Sequence, residues 1–360
     1  MSVTDTATIT QPPSDMADLG AVRDAALQEE RAGALTSDTL KHLGDAGLFA
    51  TRTYAQVGDI DLATTLQTLS TLGAANPAAA WVAGTSLLAR TNATAAFGAD
   101  AFDRLVPPTV QVGGSSRPGG TVRSEADGLV LSGQWRVVSG ADTAAALALG
   151  VVVEGHPAPH VVIVRRDDYD LDRDWDVIGM RATGSHTVSI DGLRLAKDQF
   201  RPMQLTPQFA VLGALTVLAP ILGATRAALG VTTGLFHTGR KPTLLAAPTL
   251  AASAAARALL AAAASHLNDA STFAEAAVHI AEHNPHAARR RLAQSAVSAR
   301  SAFEPMLDLY GAAAFNQNAR IGMLWRDVAI GSRHSLTTAY VFHDETVSDL
   351  LTTNLRSDVV

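Results

Sequence analysis

Three zones of different texture along the 360-residue chain predict an α+β fold. Apolar residues recur at helical spacing from about Ala17 to Val106. From about Val110 to Leu195, β-branched runs alternate with turn signals. From about Thr206 onward the chain is rich in Ala and Leu and helical again. This order implies a flexible tail (1–15), an N-terminal helical domain (16–108), a middle antiparallel β domain (109–200) and a C-terminal helical bundle (201–360).

Each element has a local reason. Met1 to Asp15 is rich in Thr, Ser and Pro, and lacks the basic start and apolar run of a secretory signal, so it reads as a tail. Ser37 reads as the N-cap of a helix over Asp38–Phe49. Asn76-Pro77 opens a helix through Trp81 and Leu88: the Asn side chain accepts from first-turn amides, and Pro lacks the amide that a first turn leaves unused. The Asp127-Gly128 turn starts a strand over Leu129–Val138, and Val151–Val153, Val161–Val164 and Thr187–Leu195 are further β-rich runs.

The uncharged stretch Phe209 to Thr225 contains Gly213, Pro220 and Gly223. It falls short of the roughly 20 apolar residues that span a bilayer, so it is expected to be a helix buried on all sides. Helix breaks are expected at Pro242, Pro248, Asn284-Pro285 and Pro305. Few charges fall between Phe209 and Ala264, which predicts cover by other subunits: a homodimer or homotetramer, cytoplasmic and without a membrane.

Composition removes several classes of function. With 28 Lys+Arg against 34 Asp+Glu, a net charge of −6 and no basic run longer than Arg289–Arg291, the chain lacks the concentrated positive face that nucleic acid requires. Zero cysteines exclude a disulfide scaffold, thiolate zinc and a Cys nucleophile. His279-Ile-Ala-Glu282-His283 fits a zinc-peptidase pattern, but it runs into Asn284-Pro285 with no third ligand in view and reads as a solvated turn. Gly113–Gly120 lacks the Gly-Lys-Ser/Thr ending of a phosphate loop. No Gly-x-Ser-x-Gly elbow supports a Ser139–His334 triad, and no Gly-x-Gly-x-x-Gly in a βαβ unit supports a nicotinamide site.

Three segments stand out together: Ser132-Gly-Gln-Trp-Arg-Val-Val-Ser139-Gly-Ala-Asp142, Trp175-Asp-Val-Ile-Gly-Met-Arg-Ala-Thr-Gly-Ser-His-Thr-Val188, and Leu324-Trp-Arg-Asp-Val-Ala-Ile-Gly-Ser-Arg-His334. Taken singly, the tryptophans read as core, Thr183-Gly184-Ser185 as a tight turn, and Arg326–Asp327 as a charge pair on one helix. In this order and layout they resemble the acyl-CoA dehydrogenase superfamily, and within it the flavin-dependent monooxygenase branch, the oxygenase component of two-component systems. The resemblance runs from about Asp18 to Leu351, with Gly-Met-Arg-x-Thr-Gly-Ser-x-x-Val as its most specific part and Leu222–Leu229 similar to the first long C-terminal helix.

The resemblance implies reduced FMN or FAD, supplied by a separate NAD(P)H:flavin reductase and held between the β domain and the bundle. With O2 it would form a C4a-hydroperoxide and oxygenate a small molecule, an aromatic, polyketide-type or amine intermediate of specialised metabolism such as antibiotic biosynthesis. Ser139 falls where the family places a hydroxyl beside flavin N5. Trp135, Val138, Thr183, Gly184 and Ser185 fall in the segments that line the same cavity. Arg240 is either a contact for the flavin phosphate or a cation at a helix C-terminus.

His334 replaces the glutamate base of the commonest dehydrogenases, and its spacing of seven residues from Asp327 puts both on one helical face. An imidazole there can hydrogen-bond and help protonate an oxygen adduct. Arg90 and Asn92 lie where phenol hydroxylases of the branch carry a substrate-facing histidine, and are the candidates for substrate contact. The alternative is an acyl-CoA dehydrogenase or desaturase whose base is Glu304.

Overall fold

The computed structural model describes residues 19–49, 60–126, 128–196, 198–242 and 246–342. The expected tail over 1–15 lies outside them. Helices α1 (Gly20–Ala32), α2 (Ser37–Asp45), α3 (Leu62–Ala75), α4 (Pro77–Phe97) and α5 (Ala99–Leu105) come first. Strands β1 (Val112–Glu125), β2 (Gly128–Val138), β3 (Ala146–Val153), β4 (His160–Arg165), β5 (Asp170–Asp172), β6 (His186–Leu195) and β7 (Phe200–Pro202) follow. The chain then returns to helix in α6 (Pro207–Leu235), α7 (Ala254–Ile280), α8 (Pro285–Ser301), α9 (Phe303–Tyr310) and α10 (Arg320–Gly331).

Caps fix the helix starts. Asn76 Oδ1 accepts from the Ala79 amide at 3.1 Å with Pro77 in the first turn of α4, as its sequence predicts. The cap of α2 is Thr36 rather than Ser37: its hydroxyl accepts from Thr39 N at 3.2 Å while also donating to Glu29 at 2.7 Å. That helix stops at Asp45, short of Phe49, because the chain turns at Gly47 with φ 73°. The break expected at Pro305 falls just upstream of it: α8 ends at Ser301 and α9 begins at Phe303, because Pro305 has no amide to donate to the Ser301 carbonyl and so sits in the first turn of a new helix.

The strands form one sheet in the order β5-β6-β2-β1-β3-β4-β7. It is not wholly antiparallel, because β1 and β3 pair in parallel from Val112↔Ala146 to Val122↔Val153. The reason is topological. The connection over 139–145 carries the chain from β2 past β1, so β3 pairs with the far edge of β1 and runs with it. Residue 139 thereby lies where the sheet meets the helices.

α6 is 29 residues long and continues through Pro220. It is the one helix among the described residues long and apolar enough to cross a membrane, but it is buried within the protein, in contact with α3, α4, α7, α8, α9 and α10. Every residue from Val211 to Thr225 is buried. Low charge over Val211–Thr225 is therefore explained inside one chain, whereas Ala254, Ala255, Ala258, Ala261, Ala262 and Ala264 at the start of α7 are exposed. α7 ends at Ile280, so His279 and His283 are separated by a helix end, and no group of three or more potential metal ligands occurs among the described residues.

Candidate functional site

The site begins with a defect in β2. Pairing of β2 with β6 shifts register between Trp135 and Val138, and Val137 takes φ 60°, a conformation in which a β-branched residue is strained. The bulge breaks the in–out alternation of the strand: Arg136 and Val137 both face outward, while Trp135 and Val138 both face the core. The side chains of Trp135 and Val138, two expected cofactor contacts, therefore point into the core. Trp135 is 2% exposed with its indole nitrogen donating to Gly150 O at 2.7 Å, and Val138 is fully buried. The residues turned outward are the neighbours Arg136 and Val137.

Immediately after the bulge lies a chain of hydroxyls. Trp81 Nε1 donates to Ser139 Oγ at 3.1 Å, Ser139 Oγ meets Ser185 Oγ at 2.9 Å, Ser185 Oγ meets Thr183 Oγ1 at 2.7 Å, and Thr183 Oγ1 donates to Met180 O at 2.7 Å. Three residues singled out in the sequence, Ser139, Thr183 and Ser185, thus form one network, with Gly184 the left-handed residue between two of them. Trp81, from α4, was missed as a site residue; nothing in its local sequence marks it, because its partner comes from another domain.

The loop carrying Thr183 to Ser185 is fastened from below. Met180 is the second of the two non-glycine residues with positive φ among those described, at 53°. Its amide donates to Asp327 Oδ1 at 2.5 Å, and its carbonyl also accepts from Trp175 Nε1 at 2.9 Å. A side chain at Gly179 would run into the Arg326 carbonyl, so only glycine lets the loop lie on α10. Arg326 and Asp327 are not paired with each other: Arg326 holds both Glu30 oxygens, at 2.9 and 2.8 Å, and Asp327 holds the loop. Burial, with the nearby Glu30 charge, pushes the Asp327 carboxyl up to about 7.

His334 lies beyond the end of α10, in the turn that follows Gly331, so the face it shares with Asp327 is not helical. A Cβ at Gly331 would meet Met180 Cε at 3.0 Å and Trp81 Cζ3 at 3.1 Å; its absence lets the end of α10 approach Trp81. The His334 ring then stands edge-on to the Trp81 ring at 5.5 Å. Burial lowers its pKa to about 4, so the ring is neutral near pH 7. Leu336 N donates to Nδ1 at 3.3 Å, which assigns the ring hydrogen to Nε2.

A cavity of about 370 Å³ adjoins the hydroxyl chain, lined by Ser185, Thr187, Trp175, Val137, Arg136 and Gln134 among others. Its volume suits a small-molecule site. Trp175, Val137 and Val177 offer apolar surface, Ser185 a hydroxyl and Arg136 a cation, while Asp172, Asp174 and Asp176 add carboxylates to the lining.

The remaining expected residues lie elsewhere. The Arg90 guanidinium donates to the carbonyls of Pro107 and Val110 and lies over Phe102, so it anchors the connection from α5 to β1 and is not free for a substrate. Asn92 is 2% exposed, with no hydrogen-bond partner for Oδ1 among the described residues. Arg240 donates to Tyr310 O at 3.2 Å, at the far end of α6. Glu304 is exposed in the first turn of α9.

No family model matches the chain. It is 33% identical over 110 residues, 30% of its length, to the oxygenase subunit HsaA of a flavin-dependent monooxygenase from Rhodococcus jostii (strain RHA1), covering 27% of that protein. It is 25% identical over 212 residues, 56% of its length, to HsaA of Mycobacterium tuberculosis (strain CDC 1551 / Oshkosh), covering 52%. These matches span about a quarter to a half of the relatives' length. Its structure superposes on XiaF from Streptomyces sp., solved with FADH2 and glycerol, with a TM-score of 0.80, 20% identity and 93% of each chain covered. The fold is the one the sequence resemblance implied, acyl-CoA dehydrogenase-like.

Proposed function

We propose that the protein is the oxygenase component of a two-component flavin-dependent monooxygenase. One observation carries this: the hydroxyl chain of Ser139, Ser185 and Thr183 is joined through the Trp81 indole, whose ring packs against the neutral His334 imidazole, and it reaches a cavity of about 370 Å³ at Ser185. XiaF, with the same fold, holds FADH2, and the HsaA relatives are oxygenase subunits. Reduced FMN or FAD, when bound, would supply the electrons that activate O2.

The chain's own residues bind and shield. Ser139 and Ser185 present oxygens to a polar ring edge, Trp175 and Val137 pack against the ring, and Arg136 offers a cation. His334 holds a hydrogen on Nε2 that it can donate to an oxygen of the reacting group, and its depressed pKa keeps it from competing as a cation at neutral pH. Trp81, Met180 and Ile221, all buried, pack around Gly331 and close off the α10 side of the hydroxyl chain from water. The dehydrogenase alternative lacks support: Gly331 to His334 contains no carboxylate and Glu304 is exposed on α9.

The reductase is a separate protein, and the substrate is a small aromatic, polyketide-type or amine molecule, with Asn92 offering an unused acceptor. Arg240, remote from the cavity within its own chain, is available to a flavin phosphate across a subunit contact in a homodimer or homotetramer. A cytoplasmic role in antibiotic-type specialised metabolism completes the reading. The test is a stopped-flow experiment in which protein with reduced FMN or FAD meets oxygenated buffer. A slowly decaying absorbance distinct from both reduced and oxidised flavin supports the oxygenase. Bleaching of oxidised flavin by acyl-CoA thioesters would put the dehydrogenase in its place.

A further inference from the structure

We propose that the trough between α3 and α7, floored by α6, is a second small-molecule site, and that it takes an α-amino acid with an apolar side chain. The inference goes beyond the flavin reading and does not depend on it: no residue of this trough lines the cavity at Ser185.

The trough opens where a close helix contact ends. A Cβ at Gly73 on α3 would meet the Pro220 carbonyl oxygen of α6 at 2.6 Å, and one at Gly223 on α6 would run into the Ser70 carbonyl of α3. Glycine at these two places lets the helices touch backbone to backbone. Beyond Gly223 the next turn of α6 carries Arg226, and a cavity of about 310 Å³ opens between α3 and α7.

Its lining has an apolar part and a charged part. Leu66, Leu222, Ala274 and Val278 form the floor, with Leu222 and Ala274 buried. Arg226 and Glu275 stand at the rim, both exposed. Arg226 is the only charged residue in the 29 of α6. Among the described residues neither side chain makes a hydrogen bond or an ion pair, with the other or with anything else. Two opposite charges on different helices thus face one cavity without neutralising each other.

The ligand class follows from that set. A guanidinium favours a carboxylate, which it holds with two parallel hydrogen bonds. Glu275 repels a ligand that is only an anion and favours one that also carries an ammonium group. The floor requires an apolar body, and the volume lies at the small end of ligand cavities. An amino acid with an aromatic or branched side chain meets all three conditions, whereas a simple acid or a simple amine meets two.

Calorimetric titration of the full chain with L-phenylalanine, hydrocinnamate and phenethylamine separates the contributions of the two charges. L-Phenylalanine is expected to bind at one site per chain, about tenfold tighter than either of the others. Arg226→Gln should weaken L-phenylalanine and hydrocinnamate by about tenfold and shift phenethylamine by less than about threefold. Glu275→Gln should weaken L-phenylalanine and phenethylamine and spare hydrocinnamate. Both side chains are exposed, so neither change disturbs the core. Ala63→Trp, which fills the trough from α3, should abolish binding of all three. No saturable binding up to about 10 mM, affinities that survive all three substitutions, or hydrocinnamate bound as tightly as L-phenylalanine would overturn the proposal. FMN titration of the same variants, expected to match wild type, reads the other cavity separately. Protein that binds L-phenylalanine in this pattern but binds no flavin would overturn only the flavin reading.

Discussion

His334 and Trp81 meet edge to face, ring centroids 5.5 Å apart and planes at 77°, and the same indole spends its hydrogen on Ser139. One aromatic ring therefore fixes the distance between the two residues assigned to chemistry. His334→Ala is expected to lower product formed per reduced flavin consumed by about 10²-fold, the lower end for acid–base assistance, with flavin affinity retained. Unchanged coupling in that variant would take His334 out of the mechanism.

Two buried groups oppose each other in pH dependence. Burial raises the Asp327 pKa to about 7 in the fold, against an ordinary 3.8, so its contribution to stability is full below pH 3.8 and is lost as pH rises through 7. His334, at about 4 in the fold against 6.5, contributes fully above pH 6.5 and loses that contribution as pH falls towards 4. Between those values the two partly cancel. Urea midpoints measured from pH 4 to 7 should rise with pH more steeply for Asp327→Asn than for wild type, and less steeply for His334→Gln. Superimposable profiles for all three proteins would show that neither group titrates as its burial implies.

The Glu30–Arg326 pair ties α1 to α10 beneath the site loop, with side chains only 7% and 17% exposed. Removing one partner strands the other charge, so Glu30→Ala is expected to cost about 3–5 kcal/mol in chemical denaturation. A loss below about 1 kcal/mol, the range of exposed pairs, would mean that solvent reaches the pair.

Val137 stores strain at the edge of the cavity. Val137→Gly relieves a positive φ worth about 1–2 kcal/mol but costs about 0.5–1 in chain entropy, so stability should hold or rise slightly. The lost side chain removes apolar surface from the cavity, so flavin affinity should fall. Thermal unfolding and flavin titration check the two signs separately, and a marked fall in melting temperature would show that the valine side chain stabilises more than its backbone costs.

The zones of the fold were legible because each is written in short-range chemistry. Asn76-Pro77 caps its helix whatever packs above it, and the apolar run of α6 had to be buried somewhere. The turn ahead of β2, the hydroxyls of Ser139, Thr183 and Ser185, and the glutamate-to-histidine exchange at His334 were all visible in the chain. The parallel pairing of β1 with β3 was not, because it depends on which side of β1 the 139–145 connection passes. Nor was the bulge at Val137, since valine gives no local sign of a positive φ, and the bulge is what turns Trp135 and Val138 towards the core together.

By itself, then, the sequence determined the order of helix, sheet and helix, the absence of thiol chemistry and the set of polar residues available for catalysis, because propensity, capping and composition act within a few residues. Only the tertiary structure decided that Trp81 joins Ser139 to His334, that Arg90 is spent on carbonyls, and that Arg326 and Asp327 answer to Glu30 and Met180 rather than to each other. Those outcomes are set by which buried donors lie within about 3 Å of which acceptors, a condition that packing between distant segments imposes and no local pattern encodes.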